Sequence, residues 1–372
     1  MRLLHLSDLH LGKRIYEMSM LDEQRAMLDQ ALEMARGADV TVIAGDIYDR
    51  QVPSAEAVAL FDDFLSRMSA QGSPVALISG NHDSAERIAF GARLMDQSGV
   101  YVSGVYDGSV RRVELADACG PVHIYLLPFI KPAHVRAALG NEEIEGYTPA
   151  LRAAVAAMDI DLSARNVLVA HQFVTGAARS ESEEISVGGL DNVDAEVFDG
   201  FDYVALGHLH AAQSLCGGRV RYSGAPLCYA FSECGERKTA LLVELGPKGA
   251  LDVTGLPFVP LHPMRRVRGS FAQLLAPEAG TQDYLQITLT DEDDVPDAVG
   301  KLRAVYPNLL ELRYDNARTR AAAADFSRMA VAKRAPLEMF EELYLLQNGA
   351  PMSDEQRRLA AGMMEKIWEE EA

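Results

Sequence analysis

The chain has 372 residues, 48% of them hydrophobic, which is enough for a large core plus smaller appendages. Its formal net charge of −19 speaks against one broad basic nucleic-acid face, although a total hides local patches and bound metal ions can bring positive charge to a phosphate. No run reaches the roughly 20 apolar residues of a bilayer span, and MRLLHLSDLHLGK puts histidine and aspartate where a signal peptide is apolar, so a cytoplasmic, non-membrane protein is expected.

In chain order, three apolar runs end in polar residues. Residues 3–6 lead into Ser7-Asp8-Leu9-His10, residues 40–44 into Gly45-Asp46, and residues 74–79 into Gly80-Asn81-His82-Asp83. Between them, residues 20–36 and 54–70 repeat apolar positions every three or four residues, as helices do. The alternation β, α, β, α, β predicts buried strands with ligands gathered at their C-terminal ends. Strand-like runs follow at 122–127, 167–170, 203–206, 220–222, 240–245 and 258–261, so a mixed two-sheet core flanked by helices is expected over residues 1–262.

After Pro263 a strand (284–289), a helix (295–306) and a strand (309–313) predict a small β-α-β unit over 263–317. The acidic run 291–294 before that helix reads as a solvated start favoured by the helix dipole, or else as a metal site. Residues 318–335, with Arg318, Arg320, Arg328, Lys333 and Arg334, are Ala-rich and basic and look like a linker. Two amphipathic helices are expected at 336–347 and 353–369, within a segment 336–372, the second opened by a Ser353/Gln356 capping box and carrying Leu359, Met363, Met364, Ile367 and Trp368 on one side. They pack on their own domain or dock on a partner. Cys119, Cys216, Cys228 and Cys234 lack zinc-knuckle spacing and are expected to be reduced and mostly structural.

Chemistry concentrates in five motifs: Asp8-Leu9-His10; Gly45-Asp46-Ile47-Tyr48-Asp49; Gly80-Asn81-His82-Asp83; His171; and Gly207-His208-Leu209-His210. Each alone is weak, but all five in order at strand ends are hard to obtain by chance. Carboxylate, amide oxygen and imidazole without thiolate suit catalytic divalent ions rather than a structural zinc centre. His5, His123, His134 and His262 fall outside the motifs and are read as structural.

These residues resemble the calcineurin-like metallophosphoesterase superfamily. The resemblance implies an α/β fold of mixed α+β type, a four-layer β-sandwich core flanked by helices. It implies two metal ions, one held by Asp8, His10, Asp46 and His210, the other by Asp46 as a bridge with Asn81, His171 and His208. A metal-activated hydroxide would attack phosphorus. His82 would donate a proton to the leaving oxygen, and Asp49 and Asp83 either orient imidazole and amide groups or cap turns. Mn2+ is the metal expected by analogy, with Mg2+ as the alternative.

HQFVTG around His171, GHLHAAQ around His208, YSGAPLCYAFSE from Tyr222 and the layout after residue 262 are similar to the double-strand-break repair nuclease branch. That branch implies DNA as substrate, with 3′-5′ exonuclease action on duplex ends and endonuclease action on single strands and hairpins. It also implies a homodimer bound to a coiled-coil ABC-type ATPase, two subunits of each, docked through the C-terminal helices. Residues 54–70 and 84–96 are candidates for the dimer contact, though core packing explains their pattern as well. No GxxxxGK[ST] loop occurs, so no ATP is expected on this chain through that motif. Two other readings are a stand-alone phosphodiesterase of small cyclic nucleotides, which needs no cap or docking helices, and a scaffold without activity, whose signature would be missing ligands.

Overall fold

The computed structural model describes residues 1–178, 192–276, 280–320 and 336–371. Strand Arg2–Leu6 is buried from Leu3 onward, His5 included, the pattern of a strand covered on both faces. It lies inside a six-stranded sheet in the order 251–257, 239–245, 2–6, 40–44, 75–78, 100–103. The last four run parallel, and the first two add antiparallel to the other side of Arg2–Leu6. Helices Leu21–Ala35 and Ala55–Ala70 cover the outer face, where Met27, Leu28, Leu32, Leu60, Phe61 and Phe64 pack with Leu4, Leu6 and Ile43. Each such side chain contributes about 1.5–3 kcal/mol by leaving water. Ser54 is the N-cap of the second helix, its Oγ accepting from the Ala57 amide at 3.2 Å.

A second six-stranded sheet runs 213–215, 220–222, 203–207, 165–171, 120–126, 111–117. Its inner face, including Ile124, Val167, Val169 and Ala205, meets Leu3, Val42, Ala44 and Ile78 of the first sheet. Helices Pro132–Leu139 and Tyr147–Ala156 cover its outer face. The core is therefore four-layered, helix on sheet on sheet on helix, as expected.

Two strands differ from the sequence reading. Residues 258–261 form no strand; the preceding Leu251–Pro257 pairs instead with Thr239–Leu245, although Gly255 interrupts its apolar pattern. Pro260 offers no amide to extend the ladder. Met264–Gly269 is an additional strand whose Arg265, Arg266 and Arg268 disguise it as a loop. It joins Tyr284–Leu289 and Leu309–Tyr314 in a three-stranded parallel sheet. The helix of this unit starts at Ala298, three residues late, because Pro296 and the left-handed Asp297 (φ 50°) precede it.

The small sheet is anchored to the core. Met264, Tyr284 and Leu310 enter the core cluster, and buried Glu23 accepts from the amides of Leu261 (2.9 Å) and His262 (3.2 Å) and contacts His262 Nδ1 at 2.6 Å. The acidic run resolves into ordinary partners: Asp291 accepts from the Phe271 amide, Glu292 pairs with Arg320 and Asp294 with Arg318. Arg318 and Arg320 are consequently helical and tied to the small unit, not part of a linker, while Arg328, Lys333 and Arg334 lie outside the described residues.

Helices Pro336–Asn348 and Asp354–Glu371 end the chain. The capping box is present: Gln356 N–H donates to Ser353 Oγ at 3.2 Å and Ser353 N–H to Gln356 Oε1 at 2.9 Å. Leu343, Leu346, Leu359 and Met363 are exposed. The side chains of Ile367 and Trp368 lie outside the described residues. No helix among the described residues is long and apolar enough to cross a membrane. All four cysteines are free, Cys119 and Cys216 exposed rather than built into the core.

Candidate metal centre

The five motifs converge at the C-terminal ends of strands from both sheets. Asp8 and His10 follow Arg2–Leu6, Asp46 follows Val40–Ala44, and Asn81 and His82 follow Val75–Ile78. His171 ends Arg165–His171, while His208 and His210 follow Tyr203–Gly207. The loops after the first two strands are zipped together, with the Asp8 amide donating to Gly45 O at 3.1 Å and the His10 amide to Asp46 O at 3.0 Å. Asp8, His10, Asp46 and His208 all have positive φ (53°, 45°, 50° and 101°), a conformation that costs non-glycine residues of order 1–3 kcal/mol. The sharp turns aim each side chain across the strand ends.

The glycines before the ligands are required by close approach. A Cβ on Gly80 would lie 2.1 Å from Asp46 Oδ1, and one on Gly207 would lie 2.0 Å from Ala44 O. Either would force the two ligand loops apart.

Asp46 is central. Its Oδ2 is 3.7 Å from His10 Nε2 and 3.4 Å from His171 Nε2, as a carboxylate shared by two metals would be placed. On one side His10 Nε2 and His210 Nε2 face each other at 3.1 Å, with Asp8 completing the group. On the other, Asn81 Oδ1 lies 2.9 Å from His171 Nε2 and 3.0 Å from His208 Nδ1. His171 Nδ1 meets the Ala44 carbonyl at 2.8 Å; a carbonyl only accepts, so Nδ1 carries the proton and Nε2 is the nitrogen open to a metal. Carboxylate and amide oxygens with imidazole nitrogens, converging at these distances, fit divalent cations.

Burial sets the electrostatics. It raises the Asp8 carboxyl to about 6 against the pull of His171. It would raise Asp46 too, but His171 and His82 hold that carboxyl well below the usual range. Burial lowers His171, yet Asp46 outweighs it and lifts the imidazole to about 9. His10 is pushed well below its ordinary value, by burial first.

His82 is half-buried at the mouth beside Asn81 and His208, its ring edge-on to His10 with centroids 4.9 Å apart. Its amide donates to Asp46 Oδ1 at 2.9 Å. Asp49 Oδ1 lies 3.7 Å from His10 Nδ1, beyond hydrogen-bond reach, and 2.6 Å from Lys13 Nζ, its actual partner. Asp83 does something else: it accepts from the amides of Ile47 (3.1 Å), Tyr48 (2.9 Å) and Gly80 (2.9 Å), binding two ligand loops to each other rather than a ligand side chain. His5 is buried outside the site, and His123 and His134 take no part in it.

Glu233 and Lys238 were not found by sequence reasoning. Glu233 is fully buried, 3.5 Å from His210 Nδ1 and 2.7 Å from Lys238 Nζ. Burial works to raise its carboxyl, but His210 and Lys238 outweigh it and bring it down to about 2. Glu233 sits in loop sequence and Lys238 precedes strand Thr239–Leu245 at its N-terminal end, where no ligand is looked for; the signal for Glu233 is the YSGAPLCYAFSE segment, which it ends.

Family models match residues 1–212 as a calcineurin-like phosphoesterase and residues 260–348 as the Type 5 capsule protein repressor C-terminal domain. The chain is 29% identical over 356 residues to a Staphylococcus epidermidis protein named as the D component of the nuclease SbcCD, covering 92% of each chain. It is 32% identical over 329 residues to the protein of the same name from Staphylococcus saprophyticus, covering 84% of each. A solved structure, TT1561 of Thermus thermophilus, aligns at 13% identity with a TM-score of 0.37, covering 68% of this chain and 98% of that one.

Proposed function

The chain belongs to the calcineurin-like phosphoesterase family, and on that premise we propose that it is the metal-dependent nuclease subunit of an SbcCD-type complex, acting on DNA. The observation that carries the reading is the meeting of seven donor side chains from five separated motifs, Asp46 at their centre. Two divalent ions in such a site supply Lewis-acid charge to the attacking and leaving oxygens of a phosphoryl displacement and activate water at neutral pH.

The residues then divide the work. Asp8, His10, Asp46 and His210 would hold one ion, and Asp46, Asn81, His171 and His208 the other, Mn2+ being favoured by analogy. Asn81, His82 and His208 are the half-buried members, so the scissile phosphate approaches over them while Asp8, His10, His171 and His210 form the closed floor. His82 Nδ1 or Nε2 delivers a proton to the leaving oxygen. The small three-stranded unit, 263–317, forms one wall of the approach to DNA. The helices within 336–372, with exposed Leu343, Leu346, Leu359 and Met363, dock on an SbcC-type coiled-coil ATPase, which handles ATP; two chains of each subunit make the assembly. Duplex-end 3′-5′ exonuclease and hairpin endonuclease action are the activities expected.

The test is hydrolysis of labelled duplex and hairpin DNA by the purified chain with Mn2+, with and without the ATPase partner, beside a cyclic nucleotide. Metal-dependent DNA cleavage stimulated by partner and ATP supports the reading. Turnover of the cyclic nucleotide alone replaces it with the stand-alone phosphodiesterase.

A further inference from the structure

We propose that Glu233, fixed by Lys238, is a positioning residue for His210 and thereby sets the affinity of the metal pocket formed by Asp8, His10 and His210. The proposal rests on the two-metal reading above.

The geometry is specific. Glu233 is fully buried, and its two oxygens have different surroundings. Oε2 is 2.7 Å from Lys238 Nζ and accepts from the Tyr229 amide at 3.4 Å. Oε1 makes no hydrogen bond, though it lies 3.5 Å from His210 Nδ1. A buried carboxylate oxygen without a hydrogen bond costs free energy unless a donor reaches it, and the imidazole Nδ1 is the donor at hand. Lys238 holds the same assembly from the other side, donating to the His210 main-chain carbonyl at 3.0 Å as well as to Glu236 at 3.1 Å. The ammonium holds the backbone of His210 while the carboxylate stands behind its ring.

The consequence is chemical. With Nδ1–H directed at Glu233, the Nε2 lone pair points at His10 Nε2, 3.1 Å away, where the cation belongs. An adjacent carboxylate also makes an imidazole a better donor, and loss of such a partner typically weakens metal binding about 10–100-fold. His171 has only a neutral carbonyl behind it, so the two pockets differ in this respect.

The test measures Mn2+ binding by calorimetry on the full-length chain and on Glu233→Gln, with unfolding of the metal-free proteins followed in parallel. The expected result is two sites in the unmutated chain and, in the variant, one site weakened about 10–100-fold with the other unchanged. On a His210→Gln background, Glu233→Gln should then weaken Mn2+ binding no further. A folded Glu233→Gln protein whose two Mn2+ affinities both equal those of the unmutated chain overturns the proposal. A chain that binds no Mn2+ at all overturns the two-metal reading instead. A measurement free of variants stands beside these: 15N-histidine spectra of the unmutated chain loaded with Zn2+ should show His210 protonated on Nδ1, and protonation on Nε2 overturns the assignment.

Discussion

His10 and His210 present their Nε2 atoms to each other at 3.1 Å on the closed floor of the site. Burial keeps His10 neutral, so two ring nitrogens compete for at most one shared proton. A cation between them removes that conflict. Mn2+ should therefore raise the unfolding temperature and a chelator lower it again; at 100 times the dissociation constant a single site adds about 2.7 kcal/mol. Calorimetric scans with and without Mn2+ decide it, and an unmoved transition would rule out a metal at this floor.

Asp46 and His82 should separate binding from chemistry. Asp46 contacts both imidazole groups, so Asp46→Ala loses metal and cleavage together. His82→Ala should keep Mn2+ binding while cleavage falls about 10²–10⁴-fold, the usual contribution of a positioned proton donor. Retained cleavage in the His82 variant would remove it from the mechanism.

Gly207→Ala should damage the site through the backbone. The new Cβ would meet Ala44 O at 2.0 Å and His171 Nδ1 at 2.8 Å, neither of them a flexible side-chain tip. Overpacking of this kind costs about 1–3 kcal/mol, and Mn2+ binding should weaken with it. Gly362→Ala, whose Cβ meets nothing within 4 Å inside helix Asp354–Glu371, is the control: it should leave Mn2+ binding unchanged and stabilise by about 0.5–1 kcal/mol through helix propensity. Denaturant unfolding and Mn2+ titration of the pair provide the comparison.

His5 should make stability pH-dependent. Its Nε2 donates to Leu206 O at 3.1 Å and its Nδ1 accepts from Tyr203 OH at 2.9 Å, so the fold holds it neutral. Burial lowers its pKa to about 3 from 6.5. The unfolded chain takes up the proton first as pH falls; the stability is present in full above about 6.5 and drains away toward 3, at up to roughly 1.4 kcal/mol per pH unit. His5→Gln should lose that part of the slope. Identical pH profiles of the two unfolding free energies would contradict the buried neutral assignment.

The ligands could be read in the sequence because they end or follow strands buried on both faces, where a mainly apolar run gives way to polar residues. Strand Arg2–Leu6 before Asp8 shows the pattern, and so does Tyr203–Gly207 before His208, buried along its whole length. What escaped were elements without that signature. Leu251–Pro257 and Met264–Gly269 are edge strands with one exposed side, one broken by Gly255 and the other studded with arginines. Glu233 and Lys238 act through a partner more than 20 residues away in sequence, and Asp83 binds backbone amides that no motif encodes. Such roles become visible only when distant loops are seen together.

The donors come from two sheets: Asp8, His10, Asp46 and Asn81 follow strands of one, while His171, His208 and His210 belong to strand ends of the other. Neither half owns enough ligands to grip both ions. Cutting competence therefore requires the closed sandwich: a chain whose two sheets have not yet met, or have come apart, carries no complete site.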